Sequence, residues 1–218
     1  MINIEDQEQL LKLISRRIKK NISCYAFGGT AMMFYGYKNS TKDIDLVFGN
    51  EDDLSVFCEA IQELGYKKKS LLGIYKKEKI DDKNAPLMFT RGEERFDLFL
   101  KKIFRTELSE KMKERLFGRH EFIEKDNSLI INILSKEDII LLKSITEREN
   151  DYNDVLTICE KDEISWDIIV DEAIRQSKNG DEWILIDLEE TMNKLKEKFF
   201  IKEKYFKKIY DAQSARKK

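Results

Sequence analysis

The chain has 218 residues, 40 of them Lys or Arg and 42 Asp or Glu, so its charges nearly cancel and overall charge does not mark a nucleic-acid binder. That length suits one domain or two small ones with a proper core, and 38% charged residues predict a densely ionic surface laced with ion pairs. No N-terminal signal and no bilayer-length apolar run is visible, so the sequence reads as a cytosolic protein away from the membrane. Cys24, Cys58 and Cys159 lie far apart with no C-x-x-C spacing, and are expected as reduced, packed thiols rather than a disulfide or zinc framework.

Residues 5–19 place Leu10, Leu11, Leu13, Ile14 and Ile18 at helical spacing. A short apolar strand follows at 24–27 and runs into the turn Gly28-Gly29-Thr30, which opens an apolar helix over 30–35. After a polar loop comes a second strand, Asp43–Phe48. Side chains on a strand alternate faces, so Asp43 and Asp45 project to one side while Ile44, Leu46 and Phe48 pack on the other. Two neighbouring carboxylates repel and are costly to hold together without a cation; a hard divalent ion such as Mg²⁺, which takes oxygen ligands, removes that cost. The Gly-Gly-Thr turn offers backbone N–H groups to an anion such as phosphate. A D-x-D at a strand end and a Gly-Gly before a helix are each commonplace alone. Their order and spacing together point to a nucleoside-triphosphate site.

Glu51-Asp52-Asp53 then opens a helix with Leu54, Phe57, Ala60, Ile61 and Leu64 as its buried stripe, and Gly65 ends it. Strands are expected at 66–69, 73–77, 87–90 and 95–100, with turns at 81–84 and 91–94. In the last strand Phe96, Leu98 and Leu100 face the core and Arg95, Asp97 and Phe99 lie opposite. Asp97 is thus a carboxylate among apolar neighbours, where a buried charge needs a partner. A charged helix is expected at 107–117 and strands at 119–124 and 128–133. His120 is the only histidine and reads as structural, since nothing near it resembles a nucleophile motif.

From Ser135 onward the pattern is helix after helix. Ser135 is a plausible N-cap with Glu137 and Asp138 in the first turn, and Ile139, Leu142 and Ile145 give an apolar face with Lys143 beside it. Arg148, Asp151 and Asp154 follow, the two acids three apart and so on one helix face. Helices at 165–177 and 187–210 complete this part, with the last residues, 212–218, frayed. From Lys194 to the end ten Lys/Arg outnumber three Asp/Glu. Interleaved aromatics at helical spacing read as packing residues, and the basic surplus as a patch able to hold an RNA backbone by charge.

The stretch Phe-Gly-Gly-Thr-Ala, about a dozen residues, then Thr-Lys-Asp-Ile-Asp-Leu resembles the signature of the DNA polymerase β-type nucleotidyltransferase superfamily. It is most similar to small prokaryotic members: the minimal nucleotidyltransferases and the type IV abortive-infection toxin nucleotidyltransferases. Those relatives show Gly, two residues, Arg, one residue, Thr, one residue, Asp. Here Gly36, Thr41 and Asp43 match, while the Arg position is Asn39, with Lys38 and Lys42 as nearby charges. The toxin-type members also carry a helical Lys followed by Arg and a D-x-x-D, which Lys143, Arg148, Asp151 and Asp154 match.

The resemblance implies an α/β (α+β) fold with a mixed sheet flanked by helices in a nucleotidyltransferase domain (1–134), and a helical C-terminal domain (135–218) packing over the cleft. It implies Asp43, Asp45 and Asp97 as catalytic ligands of two Mg²⁺ ions, Gly28, Gly29 and Thr30 as a cradle for NTP phosphates, Lys143 on phosphate, and Asp151 in the site wall. The reaction implied is transfer of a nucleoside monophosphate from an NTP such as ATP to an acceptor hydroxyl on RNA, protein or a small molecule, with release of pyrophosphate. A place in a toxin–antitoxin system, with a partner protein, fits the same relatives. The alternative from another class is a non-catalytic module on this fold, an antitoxin or partner-binding protein, which Asn39 favours. A metal-dependent phosphoesterase ranks last, because the chain has a single histidine and a glycine cradle such an enzyme would not need.

Overall fold

The computed structural model describes residues 1–69, 85–124, 127–146 and 148–216; the strand expected at 73–77 and the turn at 81–84 lie outside the described residues. The chain divides into two units, Met1–Ser135 and Lys136–Lys218.

The first unit carries the sheet. Ile2–Asn3 (β1) leads into Ile4–Ser15 (α1), where the Asn3 side chain accepts the Asp6 N–H at 2.8 Å and satisfies a donor that the helix itself cannot. The helix expected to reach residue 19 stops at Ser15, whose hydroxyl turns back onto the Lys12 carbonyl at 2.9 Å, a local bond that competes with helix continuation. Ile22–Ala26 (β2), Gly28–Phe34 (α2), Ser40–Thr41 (β3), Asp43–Phe48 (β4) and Glu51–Glu63 (α3) follow. Asn50 caps α3 by accepting the Asp53 N–H at 2.8 Å, and Glu51, Asp52 and Asp53 fill its first turn, where negative charge is favoured.

Next come Lys67–Lys69 (β5), Leu87–Arg91 (β6), Glu94–Leu100 (β7), Lys102–Ile103 (β8), Thr106–Glu107 (β9), Glu110–Glu114 (α4), Gly118–Glu124 (β10) and Asn127–Ile133 (β11). The helix expected over 107–117 is the shorter α4. Thr106 and Glu107 are taken into a ladder with Ile103 and Lys102, and the Ser109 hydroxyl starts the helix by accepting the Met112 N–H at 3.0 Å.

Seven strands form one mixed sheet in the order β10-β11-β2-β4-β7-β6-β5. β4 is antiparallel to β2 and parallel to β7. The parallel pair needs a crossover, and α3 lies within it. Phe57 of α3 packs between Phe48 and Phe96, ring centroids 5.3 and 5.6 Å away. Ile44, Leu46, Phe48, Phe96 and Leu98 are all 1% exposed or less, so the alternation expected for β4 and β7 holds on this side. The polar residues between them are thereby committed to the opposite face of the sheet.

The second unit consists of Lys136–Ser144 (α5), Glu149–Lys161 (α6), Trp166–Lys178 (α7), Ile184–Leu195 (α8) and Glu203–Arg216 (α9). Its core includes Ile139, Ile158, Val170, Ile184, Leu188 and Ile209, each fully buried. The single helix expected over 187–210 is two, α8 and α9, with Ile201 buried in the connection between them. Helix α9 continues to Arg216, past the point where fraying was expected. Tyr205 of α9 is buried and donates to Asp167 at 2.8 Å, which fits a packing role for that aromatic. Among the described residues no helix is long and apolar enough to cross a membrane.

Candidate active site

Parallel pairing of β4 with β7 sets Asp43 opposite Arg95 and Asp45 opposite Asp97. Paired residues on neighbouring strands project from the same face, so four charged side chains form a two-by-two patch. Asp97 is 1% exposed, and a carboxylate so deeply placed requires a compensating charge. Arg95 supplies it: its Nη2 donates to Asp97 Oδ2 at 3.1 Å and also to Asp43 Oδ2.

The glycine turn is fastened to the same strand. Asp45 donates its backbone N–H to the Thr30 hydroxyl at 2.8 Å, and its carbonyl accepts the Phe27 N–H at 3.4 Å. Both main-chain groups of Asp45 therefore fix the start of α2. Gly28 has φ +56°, and a Cβ there would lie 2.6 Å from Asp45 Oδ2. At Gly29 an added Cβ would run into Thr41 Oγ1. A Cβ at either position would push on a neighbouring side chain, and the positive φ of Gly28 adds a backbone reason for glycine there. The first intrahelical bond joins the Ala31 N–H to the Phe27 carbonyl at 3.1 Å, so the N–H groups of Gly28, Gly29 and Thr30 precede the helical ladder.

The fold thus brings together Gly28, Gly29, Thr30, Asp43, Asp45 and Asp97. Thr30 is fully buried, and its hydroxyl receives the Asp45 amide, which ties the turn to the strand. Asn39 and Lys42 are exposed and Lys38 is half-buried. Arg95 is the residue whose role sequence reasoning missed. Its signal was its position two before Asp97 on a strand, which guarantees a shared face.

The donor set of Asp43, Asp45 and Asp97 is all carboxylate oxygen, which suits Mg²⁺ in chemistry, and the glycine at position 28 keeps the space beside Asp45 open. Among the described residues no three His, Cys, Asp or Glu side chains already converge as a metal-ligating group. The guanidinium of Arg95 stands between two of the three carboxylates instead.

A second charged cluster lies within the helical unit. The Lys143 ammonium donates to Asp151 Oδ1 and Asp154 Oδ2, both at 2.7 Å. Thr146 Oγ1 donates to Asp151 Oδ2 at 2.5 Å, and Arg148 Nε donates to the same oxygen at 2.6 Å. Lys143 was expected beside the apolar face, yet it is only 8% exposed. Burial works against its charge, but Asp151 and Asp154 outweigh burial and hold its pKa above the ordinary lysine value. Burial likewise pushes Asp151 up, and Lys143, Thr146 and Arg148 overcome it, so the carboxyl stays below its ordinary value. The motif residues Lys143, Arg148, Asp151 and Asp154 therefore meet, as one neutralised knot joining α5 to α6.

His120 is half-buried and packs against Phe34, the rings tilted by 36° with centroids 4.4 Å apart, in keeping with a structural role. No protein-family model matches the chain, and no curated protein matches it.

Proposed function

We propose that the chain is a Mg²⁺-dependent nucleotidyltransferase of the DNA polymerase β type. It would move a nucleoside monophosphate from an NTP to an acceptor hydroxyl and release pyrophosphate. The observation that carries this reading is the in-register pairing of Asp45 with Asp97, with a side-chain-free glycine turn fastened against Asp45. Such a patch places hard oxygen donors next to backbone N–H groups, the two things a metal-bound triphosphate needs.

In this reading Asp43, Asp45 and Asp97 hold the divalent ions, whose chemistry when bound is to neutralise the triphosphate and make the acceptor hydroxyl more acidic. Gly28 and Gly29 let the phosphates approach the backbone closely. The acceptor oxygen bonds to the α-phosphorus as the bond to the pyrophosphate oxygen breaks, and the acceptor proton leaves to solvent. The chain's own contribution is mostly positioning, which dominates phosphoryl-type transfer. The acceptor class proposed is RNA or protein in a cytosolic, reducing setting. A toxin–antitoxin role with a partner protein fits the resemblance.

A second reading keeps the fold and the nucleotide but not the chemistry: a binding module, such as one half of a toxin–antitoxin pair. The observation favouring it is the Arg95 guanidinium bridging Asp43 and Asp97, together with Asn39 at a position where relatives carry Arg. Calorimetry of ATP, GTP, CTP and UTP with and without Mg²⁺ separates the metal-dependent site from its absence. Wild type is expected to bind at least one NTP only with Mg²⁺, and Asp43→Ala/Asp45→Ala to lose that binding. Metal-independent binding, unchanged in the double mutant, would refute the proposed site.

A further inference from the structure

Asp97 and Asp43 share one nitrogen of Arg95. The Nη2 atom donates to both carboxylates, while Arg95 Nε is buried without a hydrogen-bond partner among the described residues. The strongest arginine–carboxylate pairs are bidentate, two parallel N–H···O bonds from the planar fork. Arg95 makes no such fork. One donor atom is divided between two acceptors, and another polar group goes unused inside the protein, at a cost.

The arrangement is nevertheless not idle. Asp97 is 1% exposed, and taking a bound cation away from a carboxylate at that depth is strongly destabilising. Asp43 and Arg95 are more accessible, their side chains 24% and 23% exposed, so the guanidinium sits at the mouth of the patch with Asp97 at its floor. A group placed there can leave toward solvent, provided another cation takes its place on Asp97.

We propose that Arg95 is a built-in cation that occupies the divalent-metal position of this patch, so that metal and guanidinium compete for Asp43 and Asp97. This inference rests on the nucleotidyltransferase reading and deepens it by assigning a role to a residue that the reading leaves out. A divalent ion carries twice the charge and demands several oxygen ligands at once; Arg95 offers the same carboxylates a single shared contact. Metal binding therefore displaces Arg95 outward, where its fork becomes free for anionic oxygens. The chain thereby keeps Asp97 neutralised in the absence of metal, at the cost of a weaker apparent metal affinity, because each binding event must first break the Arg95 contacts.

The test uses the full chain and Mn²⁺ as probe, with free Mn²⁺ followed by electron paramagnetic resonance, in wild type, Arg95→Gln and Arg95→Lys. Thermal denaturation is run beside it in chelator and in millimolar Mg²⁺. Competition predicts that Arg95→Gln binds Mn²⁺ about tenfold or more tightly than wild type and melts lower in chelator. Added Mg²⁺ is expected to restore most of that melting-temperature loss. Arg95→Lys, which keeps the charge, stays near wild type in both readouts. Should Arg95→Gln be unfolded in chelator, Mn²⁺ or Mg²⁺ is expected to refold it, and failure of both to do so would overturn the proposal. Equal or weaker Mn²⁺ affinity in a folded Arg95→Gln would also overturn it, while leaving the metal site itself intact. Absence of Mn²⁺ binding to every variant, with or without NTP, would remove both the competition and the enzyme reading beneath it.

Discussion

Gly28 and Asp45 stand so close that a Cβ on the glycine would lie 2.6 Å from Oδ2 of the aspartate. The backbone of Gly28 is also left-handed, with φ +56°, a conformation that costs other residues roughly 1–2 kcal/mol. Gly28→Ala therefore combines strain with displacement of a carboxylate proposed to hold metal. The expected outcome is a melting-temperature loss of several degrees in a chain of this size and loss of Mg²⁺-dependent NTP binding. Gly29→Ala meets Thr41 instead, and its defect is expected to be partly relieved by Thr41→Ala, which removes the Oγ1 atom that a Cβ would strike. Thermal melts of the two single mutants and the double mutant measure that coupling. Gly28→Ala has no such partner mutation, because φ at Gly28 stays positive whatever Asp45 becomes.

The knot around Lys143 makes a separate prediction. Lys143→Met removes a cation from two carboxylates, one of them 4% exposed, and is expected to destabilise by about 3–5 kcal/mol. The pH dependence follows from the two shifts. Asp151 is held below its ordinary value, so its contribution is present above the unfolded carboxylate pKa of about 4. That contribution is lost as pH falls through the lower folded value. Lys143 is held above its ordinary value, so its contribution is complete below about pH 10 and lost as pH rises through the higher folded value. Stability from this cluster is thus level across neutral pH and declines on the acid side. Urea melts between pH 5 and 3 are expected to show a shallower decline in Asp151→Asn than in wild type.

Much of the patch could be read directly from the strands. Period-two alternation fixed Asp43 and Asp45 on one face and Arg95 with Asp97 on one face, because alternation is a local property of extended backbone. What alternation cannot supply is register between strands 52 residues apart, and register is what puts Arg95 across from Asp43. Helix ends were harder. Ser15 ends α1 through a hydroxyl-to-backbone bond rather than a glycine or proline, and the break after Leu195 contains neither residue. Ile201 is buried there by tertiary packing that no local pattern announces. Lys143 was placed beside the apolar stripe by its spacing, but its partners sit in the next helix, eight and eleven residues on. Burial of the lysine followed from that pairing. The resemblance gave those partners a motif, and the structure gives them a mutual neutralisation.

The cysteines test the expectation of packed, reduced thiols. All three are free. Burial pushes the Cys58 thiol up to about 11 and the Cys159 thiol up to about 12, and Cys24, fully buried, is also raised by burial. Since the thiolate is the reactive form, iodoacetamide at pH 7.5 is expected to label the folded chain at least about a hundredfold more slowly than the urea-unfolded chain. Mass spectrometry of time points measures this. Rapid labelling at any of the three in the folded chain would contradict the packing described.

The Asp43, Asp45 and Asp97 face is proposed to serve nucleotidyl transfer. Parallel incubations with Mg²⁺, total cellular RNA and protein, and NTP labelled on either the α- or the γ-phosphate test it most directly. Nucleotidyl transfer is expected to put α-label into a macromolecule, to release γ-label only as pyrophosphate, and to be abolished in Asp43→Ala/Asp45→Ala and in Asp97→Asn. Transfer of γ-label would mean a kinase, and transfer of α-label by Asp43→Ala/Asp45→Ala or by Asp97→Asn would place the chemistry elsewhere; either result would overturn the proposed function.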